Sequence, residues 1–115
     1  RGVSVFDINE SGELNRTTRI EDPDLIMAED TAWLSNDTLA VVDLHRGVRF
    51  YRVDRDGNWR SLGVWKPSEG TFLIDALGAH PDGFLAVSLF RGEIIIGDTS
   101  AVLQKGREPQ GWMLQ

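Results

Sequence analysis

Cysteine is absent from the chain, which excludes disulfide staples and thiolate metal sites and leaves stability to an apolar core. Histidine is scarce, with only His45 and His80, so imidazole-rich metal centres have little to draw on. No apolar run reaches the roughly 18 residues that a membrane-spanning helix needs. No pattern of basic, apolar and small-residue regions marks a signal peptide. Positive charge is in deficit: 12 Lys and Arg stand against 18 Asp and Glu, for a net charge of -6. Nothing in that balance attracts nucleic acid or an anionic membrane.

What the chain does have is bulk and periodicity. Four Trp, five Phe and one Tyr lie among 41% apolar residues in a length of 115, enough for one domain with a modest core. Arg1-Gly2-Val3-Ser4-Val5-Phe6 returns as Arg46-Gly47-Val48-Arg49-Phe50-Tyr51 and again as Arg91-Gly92-Glu93-Ile94-Ile95-Ile96, each 45 residues on. Asn36 to Leu44 aligns with Pro81 to Leu89 at the same interval, Asp30 with Asp75, and Gly12 with Gly57. Several segments matching in one register point to a repeated structural unit.

Within a unit, Ala32 to Leu34, Leu39 to Leu44, Val48 to Val53 and Trp59 to Trp65 read as four short strands. They are separated by a Ser-Asn-Asp-Thr turn, by His45-Arg46-Gly47 and by Asp54-Arg55-Asp56-Gly57-Asn58, and Lys66 to Gly70 ends the unit. Leu-Ala-Val-Val, Phe-Leu-Ala-Val and Ile-Ile-Ile are near-continuous apolar runs, as in strands covered on both faces. They are short, β-branched and closed by glycine turns, which argues against helices. Asp24 to Glu29 is the one stretch with room for a helical turn; the matching Thr71 to Ile74 reads as extended. The last unit is abbreviated, with Ala101 to Gln104 as its fourth strand and Trp112-Met113-Leu114 opening a further one.

The expected fold is therefore all-β: about two and a half four-stranded antiparallel units in a β-propeller-like arrangement. The divisions are 1–22 (a half unit, third and fourth strands), 23–66, 67–105 and 106–115 (the start of the next unit). Gly2-Val3-Ser4-Val5-Phe6-Asp7-Ile8 with Gly12-Glu13-Leu14, and His80-Pro81-Asp82-Gly83-Phe84-Leu85-Ala86-Val87, resemble blades of lactonase-type and gluconolactonase-like propellers. The Gly-His and Trp-Asp dipeptides of the WD type are missing. The resemblance implies a ring of six or seven blades with activity at the channel mouth, in some members around a divalent metal held by Glu, Asn and Asp. No complete set of that kind is present, so no catalytic residue, metal or cofactor is assigned. A small β-sandwich or barrel of about ten strands is the competing architecture.

Candidate binding residues follow from the unit. Turns on one rim place Arg1, Arg46 and Arg91 at matching positions, with Asp22, Asp24, Glu69, Asp30 and Asp75 towards the same side. The ordinary reading is Arg–Asp pairing between turns; the functional one is a rim that takes an anionic or mixed-charge peptide. Trp65, at a junction between units, is a candidate interface anchor, as is Trp112, whereas Trp33 and Trp59 read as packing residues. His45 and His80 read as solvated turn residues. Asn9-Glu10-Ser11, Asn15-Arg16-Thr17 and Asn36-Asp37-Thr38 match the glycosylation acceptor and lean towards a secreted setting, against which the lack of cysteine weighs.

Two or three units leave apolar end faces uncovered. Three completions are open: further blades of a longer polypeptide, of which Arg1 in mid-strand pattern would be a cut end; a second chain; or self-association. The functional expectation is a non-enzymatic interaction scaffold, with part of a lactone or sugar-acid hydrolase as the alternative.

Overall fold

The computed structural model describes residues 2–44, 46–66, 74–90, 92–100 and 102, together with the backbone of 110–114. It is an all-β structure of antiparallel sheets. The strands are β1 (Val3–Ile8), β2 (Leu14–Ile20), β3 (Ala28–Trp33), β4 (Thr38–Asp43), β5 (Gly47–Val53), β6 (Trp59–Trp65), β7 (Ile74–His80), β8 (Phe84–Leu89), β9 (Ile94–Asp98) and β10 (Gln110–Leu114). β1 and β2 form a two-stranded sheet, and β3-β4-β5-β6 and β7-β8-β9-β10 form four-stranded meanders.

Side-chain alternation on the central sheet explains how the sheets associate. All six residues of β4 are buried, so both of its faces are covered. Leu39 and Val41 point one way and join Tyr51 and Val53 in a cluster with Val5, Ile20 and Leu25. Ala40 and Val42 point the other way and join Val48, Phe50, Leu62 and Trp65 in a cluster with Ile74, Leu85, Val87, Leu89 and Ile95. The β3–β6 sheet is thus sandwiched between β1–β2 and β7–β10, and each fully buried Val, Leu or Phe contributes about 1.5–3 kcal/mol. The two four-stranded sheets approach each other chiefly through their first strands, β3 and β7.

The first interval of 45 residues is reproduced in detail. Val3 pairs with Ile20 as Val48 pairs with Trp65, and a bulge follows Val5 as one follows Phe50. The β1–β2 and β5–β6 turns share one hydrogen-bond frame. Asn9 Oδ1 accepts from the amides of Ser11 and Glu13, and Asp54 Oδ1 from those of Asp56 and Asn58. Gly2 and Gly47 have φ of 107° and 113°, and a Cβ on either would collide with the carbonyl oxygen of Ile20 or Trp65, respectively. Glycine at this turn is dictated by close backbone approach as well as by φ.

The second interval departs from expectation by one residue. Ala40 pairs with Ala32 and Phe50, whereas Ala86 pairs with Gly78 and Ile96, every partner displaced by 46. Arg46 donates its amide to Asp43 at the β4–β5 turn, and in the β8–β9 turn it is Gly92 that donates to Leu89. Asp30, opposite Val42, corresponds to Ala76, opposite Ser88. The expected equivalences of Arg46 with Arg91 and of Asp30 with Asp75 are therefore each one residue out. The physical reason is parity: Leu85, Val87 and Leu89 must face the central sheet, and a one-residue slip would turn all three outward. The extra residue falls between β6 and β7, where Trp65 to Ile74 is one residue longer than Ile20 to Ala28.

Three further expectations are corrected. Gln110–Leu114 pairs with β9 as the fourth strand of the last sheet, so Trp112 to Leu114 does not open another unit. Of Ala101 to Gln104, expected as a strand, Val102 alone is described, and it is helical, like Ser100, and fully buried. No helical turn forms at Asp24 to Glu29: Leu25 closes a turn onto Asp22, and Ala28 and Glu29 belong to β3.

Candidate functional site

The described rim residues do not form one site. Arg46 is exposed in the β4–β5 turn. Asp30 is half-buried and ties sheets together: its Oδ2 accepts the Leu77 amide at 2.9 Å and its Oδ1 the Thr31 amide at 2.9 Å. Asp75 is exposed at the bulge that opens β7. Among the described residues no ion pair joins these three. Arg1, Arg91, Glu69 and His45 lie outside the described residues, as does the side chain of Trp112. Trp65 is buried in the core between the four-stranded sheets, so it packs internally and is not displayed on a rim. His80 is exposed, its Nδ1 accepting the Asp82 amide at 3.1 Å.

Asp22 of that set, and two carboxylates outside it, do more. Asp43, almost completely buried, accepts the amides of Ile26 (3.2 Å) and Met27 (3.0 Å) and pairs with Arg49 Nε at 3.2 Å. It fastens the end of β4 to the segment entering β3. Tyr51 donates to Asp22 Oδ2 at 2.9 Å and meets Trp59 edge to face, with centroids 5.8 Å apart. Burial pushes the Tyr51 hydroxyl pKa well up, and the hydrogen bond to Asp22 and that carboxylate's charge push it further. Asp37 is held below the usual carboxylate range, chiefly by the Ser35 hydroxyl, with Thr38 and the charge of Arg52 assisting against the effect of burial. The only sequence signal for Asp43 is a lone acid ending an apolar run, which does not distinguish a turn residue from a buried latch.

The distinctive surfaces are the two ends of the stack. Tyr51 and Val53 are 0% and 5% exposed beneath β1–β2, whereas their 45-residue counterparts Phe6 and Ile8 are 48% and 72% exposed. Leu14, counterpart of Trp59, is also exposed. At the other end, Thr38 and Val48 are fully buried beneath β7–β10, but their 46-residue counterparts Phe84 and Ile94 are 44% and 47% exposed. A groove of about 580 Å³, lined by Gly78, Ala79, His80, Phe84, Ala86 and Ile96, runs along that face. A second cleft, of about 600 Å³, lies between β1 and the central sheet, lined by Val5, Phe6, Asp7, Trp33, Asp37 and Val53 among others.

Among the described residues no three His, Cys, Asp or Glu side chains gather as a metal site would require, and no helix is long and apolar enough to cross a membrane. No protein-family model matches the chain, and no curated protein or solved structure matches it either.

Proposed function

We propose that the chain is a β-propeller-like segment acting as a non-enzymatic interaction scaffold, with end faces that engage further β-sheets. One observation carries this reading: positions buried between sheets inside the chain recur, exposed and still apolar, on its outermost sheets. Phe84, Ala86, Ile94 and Ile96 present what β4 and β5 present to the sheet above them; Phe6, Ile8 and Leu14 present what β5 and β6 present to the sheet below. Closest approach through the first strands of adjacent sheets is the wedge geometry that radial blades have. No specific observation favours the lactone-hydrolase alternative.

The two faces are of opposite kinds, so in the absence of other sheets copies are expected to stack face to opposite face. Sedimentation velocity over a concentration series tests this. Reversible association that Phe84→Glu abolishes, with far-ultraviolet circular dichroism unchanged, is the expected result. A wild-type chain that stays monomeric at every concentration overturns the proposal.

A further inference from the structure

We infer that the open edge of β1 is a strand-addition site for an extended segment of defined pattern: antiparallel, with small apolar residues on alternate positions and a carboxylate opposite Gly2. The inference rests on the equivalence of the β1–β2 and β5–β6 pairs, as the scaffold reading does, but it concerns a strand edge and not a sheet face.

β5 is paired on both edges, by β4 and β6, whereas among the described residues β1 is paired only by β2. The chain therefore displays what covers this strand in its second occurrence. The β4–β5 register sets Thr38 opposite Arg52 and Asp43 opposite Gly47. Transferred by 45 residues, an incoming strand runs antiparallel along Gly2 to Asp7. The Val53 amide donates to Asp37 on the β4 side. Alternation along an antiparallel ladder then assigns the amides of Tyr51 and Arg49 to that side, and those of Phe6 and Ser4 to the open edge of β1. The cleft of about 600 Å³ beside Val5 to Asp7 leaves room for the incoming side chains.

Charge supplies the specificity. In the central sheet Asp43, opposite Gly47, is met by Arg49 from its own neighbouring strand. Ser4 occupies the position of Arg49, and a different arginine compensates. Arg19, across from Ser4 on β2, places Nη1 2.9 Å from Ser4 Oγ, and its Nη2 lies 3.7 Å from where a Cβ on Gly2 would be. The guanidinium thus lies on β1 beside Ser4, on the Ile20 side of Gly2, with its Nε 3.3 Å from the exposed Glu21; a carboxylate arriving opposite Gly2 would share it with Glu21. The pattern that fits is that of β4 itself, Thr38-Leu39-Ala40-Val41-Val42-Asp43, with Thr38, Ala40 and Val42 on one face and the acid at its end. Main-chain pairing supplies affinity and the alternate positions supply selectivity in such additions.

The test uses the full chain carrying Phe84→Glu, so that stacking through the end face does not contribute, and a labelled synthetic peptide of residues 28–44. Saturable binding is expected, read by fluorescence anisotropy, with the Ser4 and Phe6 amides gaining protection from hydrogen exchange. Ser4→Pro removes one open-edge amide, and with it the Oγ that Arg19 touches, while leaving the backbone ladder to β2 unaltered, and is expected to weaken binding about tenfold. Arg19→Ala in the chain and Asp43→Asn in the peptide should each weaken it, and together no further. No binding, or binding without protection of the Ser4 and Phe6 amides, overturns the inference. The exchange readout is taken on a chain without Ser4→Pro, so it decides between these outcomes even where that variant misfolds.

Discussion

Single residues in this chain do unequal work, and burial separates them. Asp43 is a buried carboxylate with three donors, so Asp43→Ala leaves two amides and a guanidinium unpaired. The expected loss is roughly 3 kcal/mol of unfolding free energy in urea titration. Asp43→Asn, which keeps an acceptor, should lose less. Tyr51 adds a pH signature. Its folded-state pKa is raised above the unfolded value of about 10, so its contribution is fully present below that pH and is lost as pH rises above it. Tyr51→Phe is expected to flatten the alkaline limb of a stability–pH curve; an unchanged limb would show that the hydroxyl is not held as described. Asp37 acts in the opposite direction. With a depressed folded pKa, it stabilises above the unfolded value of about 4 and ceases to as pH falls below it. The effect should be small because the side chain is half exposed.

At the scale of strands and turns, the β1–β2 and β5–β6 hairpins are legible in the sequence because glycines, turn acids and strand residues recur together. Gly47→Ala should therefore destabilise by about 1–3 kcal/mol, from backbone collision with Trp65 and an unfavourable φ. The register of the last sheet is not legible in the same way. Arg91-Gly92 matches Arg46-Gly47 by residue type, but turn identity is a weaker determinant than burial of Leu85, Val87 and Leu89. The pairing pattern separates the two registers experimentally. Val87→Lys is expected to unfold the chain and Ala86→Lys to change its stability by less than about 1 kcal/mol, measured by thermal melting; the reverse order would restore a 45-residue displacement. Strand counting places β10 in the wrong unit because a fourth strand can be delivered by a connection of any length. The latch at Asp43 and the reach of Arg19 depend on contacts between strands distant in sequence, which periodicity does not report.

For the molecule as a whole, an all-β antiparallel structure follows from apolar runs broken by glycine turns, and a two-stranded first sheet from counting strands, whereas the same count carries into a further unit the strand that completes the last sheet. The structure adds which side chains lie bare there and which internal neighbours they imitate. A central sheet with both faces covered beside outer sheets each with one apolar face open makes association the main expectation at this scale. The most direct test mixes Phe6→Glu, which blocks one end face, with Phe84→Glu, which blocks the other. Each variant should sediment alone as a monomer, and an equimolar mixture should form a one-to-one heterodimer through the two unblocked faces. Variants that still self-associate, or a mixture that stays monomeric while the wild-type chain associates, would contradict head-to-tail stacking of open sheet faces.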